Sequence, residues 1–576
     1  MESIFIGLAV IIVATTFFGY LMRLLKQPLI PAYVIAGLLL GPSGLILFAP
    51  KINIPIVTKI IGAITITNND MVSTLSVMGI ALMLFIVGLE IDFKKLKTVS
   101  LISSIGGSIQ IIILFVAGYL IASLLGFVPL HATYLGLVLA FSSTVVVIKL
   151  LSDKRELDTL HGRIVLGILL VEDIFAIIAI SIVSTTDSAS AYVLLLSLVK
   201  ALLVFGVAIF AGKFIFPHMF KFAAKSSELL FLLAVAICFL FAAVFNIIGL
   251  SIIIGAFIAG VALGNLEYNI EIISRIKPLK DFFATIFFAS LGLQLSIVAI
   301  KHIWLPLIIF VLFITFVKPL ITQVLCSLFG YKKKVGFLSG LALSQTSEFS
   351  LIIISTGLVL GHVTPSIFGL VILLAIITMV VTTYKVQYDH ELYRKFAKKL
   401  SIFEKLMPVK HGLEYIREKK HDVVLCGYNR IGSLVFTTLK KLKKEILVVD
   451  YNPEVIKRLM GKKIHCIYGD VGDIEIIERM NLKNVKMLIS TVPETATNLL
   501  LIKKSKEYNP SIIVLVRASQ IDDALALYDQ GADYVILPHI IGGEHVSVLL
   551  EKFGKVENVV KRKVQHIMEL KKHRES

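Results

Sequence analysis

Along the first two thirds of this chain polar positions are rare. Apolar residues run together in stretches of about 20, the length a helix needs to cross a hydrocarbon core of about 30 Å. Such stretches centre on residues 4–22, 28–47, 72–90, 99–125, 130–151, 161–184, 190–217, 228–245, 247–265, 282–299, 303–329, 335–360 and 364–386. The pattern predicts an α-helical polytopic membrane protein of about 13 transmembrane helices. The opening "MESIFIGLAVIIV" lacks a basic leader and a cleavage site, so it reads as the first retained span.

After Val386 the pattern changes. Residues 389–420 are charged and helix-prone, a linker leading away from a membrane domain at 1–388. From 421 to 540, "DVVLCGYNRIGSLVFTTLKKL", "EILVVDYNPE", "KIHCIYGDVGD", "VKMLISTV" and "SIIVLVRAS" place short apolar strands at βαβ spacing, which predicts a C-terminal α/β Rossmann-like domain. Residues 541–576 form a basic C-terminal tail ending "VVKRKVQHIMELKKHRES".

Composition agrees with a membrane protein bearing a soluble module: of 576 residues 57% are hydrophobic and 17% charged, far too apolar for a soluble globular chain. A net charge of +18 could point to nucleic acid, but the cations sort by loop. One alternate set holds Lys94, Lys95, Lys97, Lys154, Arg155, Lys221, Lys225, Lys277, Lys280 and Lys332, whereas the opposite set holds little beyond Lys51, Lys59 and Lys301. That asymmetry is the positive-inside rule, so the partner is the lipid bilayer and not nucleic acid. It predicts a multi-pass protein of the cell membrane, with its N-terminus outside and its C-terminal domain cytoplasmic. Cys238, Cys326, Cys426 and Cys466 show neither metal-ligand nor disulfide spacing.

The run "LLVEDIFAII" sets Glu172 and Asp173 near the middle of a span. Ionisable groups at that depth are costly; they face a cavity, pair with a partner, or carry ions and protons. A solvated pair at the membrane edge is the bland alternative. A partner charge exists in "FVLFITFVKPLITQVL", where Lys318 lies mid-span before Pro319, a residue that loosens the helix ladder; the alternative for Lys318 is snorkelling to the interface. Two spans carry polar clusters: "AFSSTVVVIK" with Ser142, Ser143 and Thr144, and "LALSQTSEFSLII" with Ser344, Gln345, Thr346, Ser347 and Glu348. Isolated hydroxyls are packing residues, but clusters at matching places in two halves point to unwound, crossing helices. The fifth and twelfth spans stand seven apart, as inverted repeats require.

These residues together resemble the cation:proton antiporter-2 family, and in layout its Kef-type potassium efflux branch. "PLIPAYVIAGLLLGPSGL" is similar to the family's second span and "GIALMLFIVGLEIDFKKLK" to its third. "FSSTVVV" with "HGRIVLGILLVEDIFAI", and then "GLALSQTSEFSLI", resemble its crossing helices and ion-site helix. The resemblance implies secondary active exchange of a monovalent cation, K⁺ favoured, for protons by alternating access. Na⁺ exchange on the same fold and a ligand-gated K⁺ efflux system are the alternatives. It implies that Asp173 binds cation and proton in turn and that Lys318 pairs with the site, and members differ at position 172; Glu172 beside Asp173, and Ser143, Thr144, Gln345 and Glu348 in the two polar clusters, complete the expected site. Burial and a neighbouring ammonium act oppositely on a carboxyl's hold on its proton, which lets such a site titrate near physiological pH.

In the soluble domain "GYNRIG" follows a strand and opens a helix. Gly427, Asn429, Arg430, Ile431 and Gly432 stand where a G-x-G-x-x-G fingerprint would, with Asn429 replacing its middle glycine and Asp450 about 20 residues on, placed for ribose hydroxyls. AMP or NAD(H) is the expected regulatory ligand; the domain resembles the ligand-binding modules that regulate potassium channels and transporters, which implies that Asp470 and Arg517 fall at pocket-facing strand ends. An empty fold serving only to pair two chains is the alternative; paired modules would make a homodimer. No T-V-G-Y-G filter marks a channel, and no substrate domain follows the Rossmann unit, so the chain is not expected to be an enzyme.

Overall fold

The computed structural model describes residues 2–41, 69–90, 101–183, 206–295, 303–406, 414–415 and 421–553, except 155, 158, 209, 249–250, 265, 332, 429 and 473. The stretch expected at 190–217 falls largely outside the described residues, as do Asn429 and the end of the tail. The chain forms two compact units, Met1–Phe329 with Lys333–Phe403, and Glu404–Ser576 with Gly330–Lys332.

The first unit is helical. It comprises α1 (Glu2–Leu24), α2 (Leu29–Leu40), α3 (Asn69–Glu90), α4 (Gly107–Leu124), α5 (Pro129–Ala140), α6 (Thr144–Asp153) and α7 (Leu160–Val183). Then come α8 (Phe216–Ala223), α9 (Ser227–Ile247), α10 (Ile252–Leu263), α11 (Asn269–Leu293), α12 (Trp304–Leu312) and α13 (Lys318–Leu328). The series ends with α14 (Lys333–Ala342), α15 (Glu348–Val359), α16 (Pro365–Gln387) and α17 (Asp389–Leu406). Among the described residues 7 helical stretches are long and apolar enough to cross a membrane. Four further apolar stretches, Leu29–Leu40, Thr74–Glu90, Ile252–Leu263 and Glu348–Val359, are shorter, and part of the expected series lies outside the described residues. The span expected at 282–299 is the end of α11, which starts at Asn269; Glu271, Arg275, Lys277 and Lys280 on its first turns hide it from a search for apolar runs.

Two breaks follow from serine chemistry. Between α5 and α6, Phe141 and Ser143 are extended, and Ser143 Oγ accepts the Val146 N–H at 3.3 Å. Between α14 and α15, Ser347 is extended and accepts the Phe349 N–H at 3.1 Å. Serine hydroxyls compete with the helix ladder and start a new helix as its N-cap. Before α13 a π-helical turn, Phe313–Val317, widens the backbone where Pro319 has no N–H to give. Elsewhere helices approach at backbone distance: a Cβ on Gly260 of α10 would lie 2.1 Å from the Phe85 carbonyl oxygen of α3.

A polar corner ties the first broken helix to the end of the unit. Lys154 at the C-cap of α6 donates to the Val386 carbonyl at 3.1 Å and to Asp389, and lies 3.2 Å from Glu156. Glu156 also meets His161 Nε2 and His390 Nε2, each at 3.1 Å. Burial alone would raise the Glu156 carboxyl, but hydrogen bonds from His161 and His390 win and hold it well below the usual carboxylate range. A group held down in this way adds stability above its unfolded value of 4.5 and loses it as pH falls through the folded one. Glu156→Gln should therefore be less stable than the parent by about 1.5–3 kcal/mol at pH 7. In thermal unfolding of detergent-solubilised protein, the gap should narrow as pH drops below about 4.5.

The second unit holds a 7-stranded sheet of β1 (Glu414–Tyr415), β2 (Val423–Cys426), β3 (Ile446–Asp450), β4 (Cys466–Tyr468), β5 (Met487–Ser490), β6 (Ile513–Arg517) and β7 (Tyr534–Ile536). Its order is β1-β4-β3-β2-β5-β6-β7; β1 is antiparallel to β4 and the rest are parallel. Val424, Cys426, Leu447 and Val449 belong to one apolar cluster and Val423, Leu425, Ile446 and Val448 to another, so both faces are covered by helices, as a parallel sheet demands. The covering helices are α18 (Arg430–Lys441), α19 (Pro453–Gly461), α20 (Ile474–Arg479), α21 (Thr495–Tyr508) and α22 (Ile521–Asp529), while α23 (Pro538–Phe553) follows β7 with its described residues largely exposed. β1 lies within the stretch expected as linker, and α23 runs beyond residue 540.

Candidate functional site

The two breaks touch. Ser142 Oγ donates to the Leu343 carbonyl at 3.1 Å, and Gln345 Nε2 donates to the Ser143 carbonyl at 3.2 Å. At each break one half-helix ends in unpaired carbonyls and the next begins with unpaired N–H groups, so opposite dipole ends face each other. Lys318 sits where the carbonyl ends meet. Its ammonium donates to the carbonyls of Leu139 at 3.3 Å, Phe141 at 2.9 Å and Gln345 at 3.1 Å, and the side chain is fully buried. That burial rules out snorkelling. It also amends the expected pairing: Lys318 lies in electrostatic reach of Glu172, but its three protons cap backbone carbonyls of both breaks. Free carbonyls in a membrane interior need donors as urgently as a carboxylate does, and sequence does not reveal where they are.

The N–H ends face the acids. Glu172 is 1% exposed; the Ser142 N–H donates to its Oε2 at 2.6 Å and Gln110 Nε2 to its Oε1 at 3.2 Å. Gln110 is in turn held by Thr322 Oγ1 at 3.0 Å. Gln110 and Thr322 were missed in the sequence, where their only signal is a lone polar residue in an apolar run. Asp173 is less enclosed. Thr144 Oγ1 lies 3.0 Å from both its oxygens, so one hydroxyl proton is shared between two acceptors and most of the carboxylate's lone pairs remain open. Glu348, 3% exposed, is in electrostatic reach of Asp173. Among the described residues, Glu348 Oε2 and Gln345 Oε1 are buried without a hydrogen-bond partner.

The structure thus brings together all seven residues expected there, Glu172, Asp173, Lys318, Ser143, Thr144, Gln345 and Glu348. Ser143 Oγ faces Glu348 and caps α6. Glu172 and Glu348 both act electrostatically on Asp173, so three carboxyls share this low-dielectric region with the Lys318 ammonium. A low-dielectric region with several carboxyls favours uptake of positive charge, which a proton or a small cation can supply. Spare oxygen lone pairs suit a hard cation.

In the second unit the expected nucleotide residues, apart from Asn429, which lies outside the described residues, gather at the carboxyl ends of the parallel strands, the edge at which open α/β sheets take ligands. Gly427 is left-handed, φ +88°, and a Cβ on Gly432 would fall 2.0 Å from its carbonyl oxygen, so the turn needs both glycines. Arg430 and Ile431 open α18. Asp450 has a duty its spacing did not disclose: Oδ2 accepts the Tyr428 N–H at 2.7 Å and Oδ1 the Asn452 N–H at 2.8 Å, stapling the turn to the end of β3. Asp470 follows β4 and accepts the Gly472 N–H at 2.9 Å; Arg517 ends β6.

Comparison with known proteins gives a consistent picture. The family described as sodium/hydrogen exchanger, transmembrane, matches residues 11–387, and the TrkA-N domain matches residues 423–538. A glutathione-regulated potassium-efflux system protein, KefC, from Shigella sonnei is 25% identical over 511 residues, covering 87% of this chain and 77% of its own. A putative cation/proton antiporter, YbaL, from Escherichia coli is 24% identical over 537 residues, covering 90% and 92%. Among solved structures, a sodium proton antiporter from Methanocaldococcus jannaschii aligns with a TM-score of 0.50 at 16% identity, covering 70% of this chain and 99% of its own, a likeness of fold.

Proposed function

The chain belongs to the sodium/hydrogen exchanger family of transmembrane proteins and carries a TrkA-N domain, and from that premise we propose that it exchanges a monovalent cation for protons by alternating access. The observation that carries this reading is Asp173: a carboxylate with one shared hydroxyl proton, in electrostatic reach of Glu348, whose Oε2 has no hydrogen-bond partner among the described residues. When Asp173 holds a cation its proton must leave, and when it takes the proton the cation loses its charge partner. Exclusive occupancy couples the two gradients.

Each neighbour has a part. Thr144 orients Asp173, Ser143 and Gln345 keep the crossing together, and Glu348 lends oxygen ligands and negative potential. Lys318 neutralises the carbonyl ends and offsets Glu172, each of whose oxygens already accepts a hydrogen bond, so that Glu172 belongs to the scaffold of the site. K⁺ is favoured because the KefC relative bears a potassium-efflux name; Na⁺ is the alternative, given the name of the family. About 13 spans arranged as inverted repeats, an outside N-terminus and a homodimer joined through the second unit complete the arrangement. In liposomes, K⁺ should discharge an imposed pH gradient at lower concentration than Na⁺; the reverse order would assign the exchanger to Na⁺.

AMP or NAD(H) at the strand ends of the second unit, with Asp470 and Arg517 towards it and Asp450 offered to the ribose, would regulate transport from the cytoplasmic side. Gly432→Ala should weaken that nucleotide about 5- to 150-fold, because its methyl must displace the Gly427 carbonyl, an overpacking of roughly 1–3 kcal/mol. Nucleotide-dependent thermal shift of the full-length protein reads this; an unchanged shift would leave the domain as a pairing platform.

A further inference from the structure

We propose that Thr378, Thr382 and Lys385 on α16 are positioning residues for the ion site, holding Gln345 and Lys318 in the register that cation binding needs. The proposal rests on the antiport assigned to the crossing. The three residues recur at i, i+4 and i+7 and so line one face of a helix.

That face grips the unwound backbone on both sides of Gln345. Thr382 Oγ1 donates to the Ser344 carbonyl at 2.6 Å and lies 3.1 Å from the Ser344 hydroxyl. The Thr346 N–H donates to Thr378 Oγ1 at 3.3 Å, with the two hydroxyls 3.2 Å apart. Gln345, clamped through both neighbours, is left to reach the first break with its side chain and Lys318 with its carbonyl.

Lys385 secures the other partner of that contact. Pro319 has no N–H for the carbonyl of Thr315, four residues earlier, and in a membrane interior an orphaned carbonyl must find a donor. Lys385 Nζ donates to it, and also to Ser344 Oγ at 3.4 Å, while lying 5.7 Å from the centre of the Phe316 ring. One ammonium therefore joins the π-helical turn just before Lys318 to the break that Lys318 caps. A second, half-buried lysine would be surplus to the acid pair; its place is explained by the defect that Pro319 makes. α16 thus sets both ends of the Lys318–Gln345 hydrogen bond.

The test uses full-length protein in liposomes, with initial proton flux measured against cation concentration. Thr382→Val keeps shape and loses the hydroxyl; Lys385→Met keeps length and loses the donor. Each should raise the apparent KM for cation about three- to tenfold while leaving the maximal rate within about twofold, as expected when one buried hydrogen bond that holds the site in register is lost. Thr382→Ser and Lys385→Arg should restore the KM. Should Thr382→Val fail to assemble, Thr378→Val carries the same readout. An unchanged KM in the Val and Met variants, or a fall in maximal rate alone, would overturn the proposal and leave these side chains as packing. Absence of cation-dependent flux in the parent would instead count against the antiport reading.

Discussion

Asp173→Asn should abolish cation-driven proton movement while leaving the protein folded. The amide has the shape of the carboxylate, and its oxygen still accepts from Thr144, so the packing around α7 is preserved. What disappears is the charge that lets the site hold either a proton or a cation. Losing roughly 3 kcal/mol or more of cation binding lowers flux at least about a hundredfold at fixed cation concentration. Size-exclusion profiles should match the parent, and raising the cation should not restore flux, because no exchangeable proton remains. Residual coupled flux above a few per cent of the parent would move the exchange site to Glu348 or Glu172.

Lys318→Met is expected to have the largest effect on stability. It strips three buried carbonyls of their donor and leaves Glu172 without its nearest positive charge. Removing one partner from a buried charged cluster costs about 3–5 kcal/mol. For a unit of this size that corresponds to a fall of roughly 5–10 °C in thermal midpoint. Adding Glu172→Gln should recover part of the loss, since the stranded charge is then gone; adding Asp173→Asn should recover little. The opposite pattern would show that Lys318 balances Asp173 and not its neighbour.

Much of this was legible in sequence because membranes impose simple rules. An apolar run shows a span, and a carboxylate or a serine cluster inside one has few bland explanations, so Glu172, Asp173, Lys318 and both breaks stood out. Alternating charged and uncharged loops suggested a topology, and βαβ spacing showed the second unit, whose parallel sheet follows. What sequence hid was the partner of each group. Lys318 was expected against the acids, but the carbonyls it caps exist only once the helices have unwound and met. Gln110, Thr378, Thr382 and Lys385 look like ordinary polar residues in apolar runs until the chain folds them against Glu172, the second break and the Thr315 carbonyl. Asp450 is placed by spacing for a ribose, but its staple to Tyr428 and Asn452 depends on a turn that spacing alone cannot draw. α11 was mistimed because its charged first turns do not look like part of a span.

The most direct measurement seals the purified protein in liposomes with a trapped pH dye, imposes a pH gradient, and adds K⁺, Na⁺ or Li⁺ in turn. Exchange at Asp173 predicts that one alkali cation discharges the gradient with saturable dependence, and that Asp173→Asn liposomes hold it. A gradient that survives every cation in the parent, with nucleotide present and absent, or one that Asp173→Asn discharges equally well, would contradict exchange at this site.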